Sequence, residues 1–79
     1  METLRQLVSR VLSVGPETLS DASSPDTIPS WDSFNALMLV SELEANFSVT
    51  FSLDEVTTVK CFGDIKTALR RHQVREGLE

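Results

Sequence analysis

Asp32-Ser33-Phe34-Asn35-Ala36-Leu37-Met38-Leu39-Val40-Ser41-Glu42-Leu43-Glu44-Ala45-Asn46-Phe47 is the run on which the fold turns. Asp32 suits a helix N-cap, because its carboxylate can accept the free N–H groups of the first turn. At 100° per residue Ala36, Val40, Leu43 and Phe47 fall on one face with Leu39 at its edge, so a helix from Ser33 to about Phe47 is predicted, with that face as core. A far side that met only water would be charged. Instead it carries Phe34, Met38, Ser41 and Ala45, flanked by Glu42 and Glu44. An apolar stripe beside acids is the pattern of a partner-binding face. Ser33 takes the first helical position, where its hydroxyl can face solvent. A phosphate ester there would lie over the positive end of the helix dipole, an advantage of roughly 0.3–1 kcal/mol. The chain has no Gly-x-Ser-x-Gly elbow, and its one histidine, His72, is far along the chain. Ser33 is thus placed to be modified, not to act as a nucleophilic catalyst.

The flanks complete an all-α, small four-helix bundle. Leu4, Leu7, Val8, Val11 and Leu12 give one buried face to a first helix over about Leu4 to Val14, with Thr3 and Gln6 as a capping box. Gly15-Pro16 should end it, the glycine as a left-handed cap. Residues 15–31 form a long loop rich in Ser, Asp, Thr and Pro, and a loop of that length in so small a domain needs pins. Leu19, Ala22 and Ile28 are the expected pins, and Trp31 is expected to pack in the loop over the start of the second helix. Beyond it, Phe51 anchors a connector, and Ser52-x-x-Glu55 caps a short third helix over about Leu53 to Thr58, with Val56 and Val59 inward. The fourth helix, about Phe62 to His72, turns Phe62, Ile65, Ala68 and Leu69 in and Lys66, Arg70 and Arg71 out. Cys61 stands at its N-cap position as a small structural residue, and His72 is expected at the surface. Residues 1–76 form the domain. Residues 73–79 should fray, and Leu78-Glu79 has the look of a cloning remnant.

The 79 residues carry a net charge of −5. Its placement says more than its size: residues 17–59 hold eight acids and no Lys or Arg, while the flanks are +1 and +2. Such a field repels nucleic acid and steers basic protein surfaces towards Ser33. The N-terminus lacks the apolar stretch of a signal peptide and no run reaches transmembrane length, so a cytoplasmic protein off the membrane is expected. One cysteine excludes an intrachain disulfide framework, and no metal site is legible.

Asp32-Ser33-Phe34, followed by Leu37, Leu39, Val40, Leu43, Glu44 and Phe47, resembles the Asp-Ser-Leu helix of acyl carrier proteins, and the likeness extends from about Leu4 to Leu69. The resemblance implies a non-enzymatic carrier, expected to be monomeric, whose Ser33, with Asp32 beside it, takes a covalent 4′-phosphopantetheine arm from coenzyme A. Its partners would be a phosphopantetheinyl transferase and acyl-loading and acyl-processing enzymes with basic docking surfaces. Phe34, Met38, Ser41, Glu42 and Glu44 would meet those partners, and Leu37, Leu39, Phe51 and Val59 would line a space for the acyl chain. The chain departs from the fatty-acid-synthesis members at Met38, where they carry a charge, at Asn35, where an acid is common, and at Trp31. Trp31-Asp32-Ser33 is similar to free-standing carriers of specialised pathways, such as polyketide, nonribosomal peptide or modified-sugar assembly. A housekeeping fatty-acid carrier and a helical interaction module that is never modified are the alternatives.

Overall fold

In a computed structural model, which describes residues 2–78, the chain forms four α-helices. They are α1 (Leu4–Leu12), α2 (Ser33–Phe47), α3 (Leu53–Thr58) and α4 (Phe62–Arg71), with a 3-10 turn at Pro16–Thr18 in the long first loop. No helix among the described residues is long and apolar enough to cross a membrane. Both expected capping boxes form, Thr3 with Gln6 on α1 and Ser52 with Glu55 on α3. The left-handed caps fall elsewhere than expected. Ser13 (φ 56°) ends α1 and Ser48 (φ 56°) ends α2, whereas Gly15 has φ −67° and begins the 3-10 turn. Each serine bears the Cβ crowding of that conformation, roughly 1 kcal/mol, and in return its N–H closes the last turn on the carbonyl of Ser9 or Glu44.

The core is built from Leu4, Leu7, Val8 and Leu12 of α1, Leu39, Leu43 and Phe47 of α2, and Phe62, Ile65 and Leu69 of α4. Leu19, Ile28 and Trp31 reach into it from the first loop. Ala22, expected as a third pin, is exposed. Ser23 takes its place: it is buried, and its hydroxyl accepts the N–H of Ser20 at 2.9 Å. A buried hydroxyl is acceptable there because it is bonded.

The loop does further work at α4. Cys61 is the N-cap residue, but its side chain makes no capping bond. The freed donors turn to the loop instead: Phe62 N–H to the Ser23 carbonyl at 2.8 Å and Gly63 N–H to the Asp21 carbonyl at 2.9 Å. The approach is so close that a Cβ on Gly63 would stand 3.1 Å from the Asp21 oxygen. Lys66, expected outside, is buried. Its Nζ bonds Asp21 Oδ1 at 2.8 Å and lies 5.1 Å from the Phe62 ring centroid, while the Arg5 guanidinium lies 5.6 Å from the same ring. The apolar stem covers core surface while the ammonium finds an acid and an aromatic face.

Residues 73–78, expected to fray, make contacts with the bundle. Val74 packs against the core, Leu78 is buried in it, and the Gly77 carbonyl accepts the N–H of Leu4, one of the donors α1 cannot satisfy itself. Glu79 lies outside the described residues.

Candidate functional site

The start of α2 is held by a short chain of hydrogen bonds. Ser30 Oγ donates to the Leu12 carbonyl at 2.6 Å, and Asn35 Nδ2 donates to the Ser30 carbonyl at 2.7 Å. Asp32 Oδ1 then accepts the Asn35 N–H at 2.9 Å, the N-cap bond expected of it. The loop before Ser33 is thereby tied to the end of α1 on one side and to the first turn of α2 on the other. Ser33 itself is exposed at the first position of α2, and its hydroxyl makes no hydrogen bond among the described residues. Among the described residues its hydroxyl is hydrogen-bonded to no base, and the Asp32 carboxylate beside it accepts the Asn35 N–H. The His72 ring is committed elsewhere, with Nε2 at 2.8 Å from Glu55 Oε2.

A cavity of about 70 Å³ has Trp31, two residues before this serine, and Ala36, three residues after it, in its wall. It runs on past Leu39, Val40 and Leu43 of α2, Phe51 of the connector, Glu55, Val56 and Val59 around α3, and Ile65 and Ala68 of α4. Leu39, Phe51 and Val59, named for the acyl space, are among its lining residues. Leu37 is not: it is 67% exposed, because the buried face of α2 centres on Leu39 and Leu43, and a residue two before Leu39 points about 200° away. Ala36 and Val40, expected in the close-packed core, are half-buried and form the cavity wall.

α3 covers the cavity yet has no fully buried residue. Its hold on the bundle includes Glu55, whose Oε1 accepts the Ser52 N–H at 3.0 Å while Oε2 meets His72. The Ser52 N–H, followed by His72, holds the Glu55 carboxyl below its ordinary range. His72, expected at the surface, is half-buried, and its ring meets Phe51 edge-on at 5.2 Å. No local pattern joins Glu55 to a histidine three turns down another helix, so this pair was not legible from spacing.

The far face of α2 is apolar and open. Phe34 is 71% exposed and Met38 41%, with Ser41 and Ala45 exposed beyond them, and Leu37 joins the patch. Leu53 at the start of α3 is 78% exposed. The two acids expected to flank the stripe freely are both engaged within the protein. Glu42 Oε1 accepts from Arg10 at 2.6 Å, and Glu44 Oε2 accepts the Phe51 N–H at 2.8 Å. Among the described residues no three of His, Cys, Asp and Glu gather as a metal site would require.

No protein-family model and no curated protein matches the chain. Among solved structures, it superposes on the solution structure of holo acyl carrier protein from Geobacter metallireducens with a TM-score of 0.72. The two share 24% identity over the whole of both chains. End to end, the chain has the fold of that acyl carrier protein.

Proposed function

We propose that the protein is a carrier that holds acyl intermediates on a 4′-phosphopantetheine arm attached to Ser33 and presents them to the enzymes of a specialised biosynthetic pathway. The observation that carries this reading is the position of Ser33: an exposed hydroxyl with no hydrogen bond among the described residues, at a capped helix start, between two residues of the wall of an apolar cavity, Trp31 and Ala36, in the chain. The site fits the arm. The serine is reachable, the dipole of α2 favours a phosphodiester on it, and the loop behind it is fixed by Ser30, Asp32 and Asn35. In the attachment step Ser33 Oγ attacks the pantetheine-bearing phosphorus of coenzyme A. The hydroxyl proton passes to a base on the transferase, and adenosine 3′,5′-bisphosphate leaves. Once attached, the arm supplies a thiol that holds an acyl group as a thioester. Catalysis stays with the partners, and the protein works as a monomer in the cytoplasm.

Specialisation rests on the face of α2. With Glu42 held by Arg10, Glu44 by the Phe51 N–H and Asp32 capping α2, the open apolar groups on the first turns of α2 are Phe34, Leu37 and Met38. A partner with an apolar socket matches that surface better than a general fatty-acid enzyme with a basic one.

Intact mass after incubation with coenzyme A and a phosphopantetheinyl transferase tests the carrier reading. Wild type gains one phosphopantetheine and Ser33→Ala gains none. Mass gain on the alanine variant would refute the assignment.

A further inference from the structure

The cavity wall has one charged group, Glu55, among ten uncharged residues. The carboxylate is held by the Ser52 N–H on one oxygen and by His72 on the other, which leaves each oxygen a lone pair unused. Glu55, Val59 and Ala68 also belong to the wall of a neighbouring pocket of about 130 Å³ between α3 and α4, lined beyond them by Thr58, Asp64, Thr67 and Arg71. Glu55 therefore stands where an apolar chamber gives way to a polar one. The chamber spans α2 from Ala36 to Leu43, about 10 Å along the helix axis, and its volume holds only a short chain.

We infer that the cargo is a short acyl group carrying a hydrogen-bond donor, a hydroxyl or an amino group, that Glu55 receives at the far side of the chamber. The inference rests on the carrier reading and names the class of group carried. A plain alkyl chain brings no donor to Glu55. An acyl group ending in a carboxylate brings a second negative charge to an ionised acid and is rejected. A hydroxyl or amino group uses the free lone pairs without disturbing the bonds to Ser52 and His72.

The test loads Ser33 from butyryl-, 3-hydroxybutyryl-, 3-aminobutyryl- and succinyl-coenzyme A through a broad-specificity transferase, with intact mass confirming each product. Thermal midpoint is then read for each species, together with fluorescence of Trp31, the chain's one tryptophan, which forms part of the cavity wall. One added net hydrogen bond should raise the midpoint by about 4 °C or more over the butyryl species. Whichever donor-bearing species shows that rise, with a matching change in Trp31 emission, distinguishes hydroxyl from amino cargo; succinyl should fall at or below butyryl. Glu55→Leu removes both acceptor oxygens, and its loaded species are read against its own butyryl species, so a general loss of stability from the missing Ser52 and His72 bonds cancels. It should level the differences among the donor-bearing, alkyl and succinyl species. If the loaded species melt alike in wild type, or if the differences persist in Glu55→Leu, the inference is overturned while the carrier reading stands. If Ser33 gains no mass, both fall.

Discussion

Single residues around Ser33 divide into those whose role follows from type and those whose role follows from a distant partner. Asp32 caps α2 because a short carboxylate before an apolar helix has few better uses, and that much was legible. Asn35 looked like a missing acid. Its amide in fact donates to the Ser30 carbonyl, a bond no carboxylate could make. Glu44 looked like a solvent-facing docking charge, yet it accepts the half-buried N–H of Phe51, a contact set by how the connector returns to α2. The consequence is a changed expectation for charge reversal. Glu44→Lys should cost about 1–2 kcal/mol of stability in a denaturant titration, because the Phe51 N–H loses its acceptor at the cavity wall. Any loss of partner binding must then be corrected for that. An unchanged denaturation midpoint would show that the Phe51 N–H finds water at no cost.

At the scale of elements, the helices were legible because caps and periodicity agree. α3 has the predicted bounds, and α2 starts and stops where Asp32 and Phe47 indicate. The face of α2 was legible only in part. The count that placed Ala36 and Val40 in the core and Leu39 at its edge holds for Leu43 and Phe47, but Leu39 is the more buried residue and Ala36 and Val40 are half-buried. Leu37 was placed inside by the family resemblance and not by the count, and it extends the open stripe. Met38 on that stripe provides the sharpest contrast between a dedicated partner and a general one. Met38→Glu should weaken loading by the native partner by about 1–2 kcal/mol in kcat/KM and improve acceptance by fatty-acid-synthesis enzymes. Stability should change by less than about 0.5 kcal/mol, as at other open positions. Steady-state kinetics with both enzyme sets and a thermal melt decide it. Flat kinetics with both sets would remove the stripe from docking.

Across the whole molecule, contacts between sequence-distant groups hold the loop and α3 in place, and these were the least legible. Lys66 with Asp21 and His72 with Glu55 each join segments with no shared periodicity. The Lys66 hydrogen bond holds the Asp21 carboxyl below its ordinary range, as Ser52 and His72 do for Glu55. A carboxyl depressed on folding adds stability above its unfolded pKa, about 4, which is lost as pH falls through the folded value. Thermal midpoints taken from neutral pH downward should therefore hold to about pH 5 and drop below about pH 4. Asp21→Asn and Glu55→Gln should each shrink that drop. A drop of undiminished size in both variants would place the acid sensitivity elsewhere. The loop carbonyls that close the first turn of α4 have a different kind of consequence, for recombination. Because Asp21 and Ser23 serve as the cap that Cys61 does not provide, and Gly63 leaves room for them, the loop and α4 are one inheritable unit split by the whole of α2 and α3. A hybrid that exchanges α4 with another protein of this fold at a junction after residue 58 would import a helix start without its complement. Hybrids should fold when residues 20–24 travel with the exchanged helix, and a crossover within α2 divides the pair.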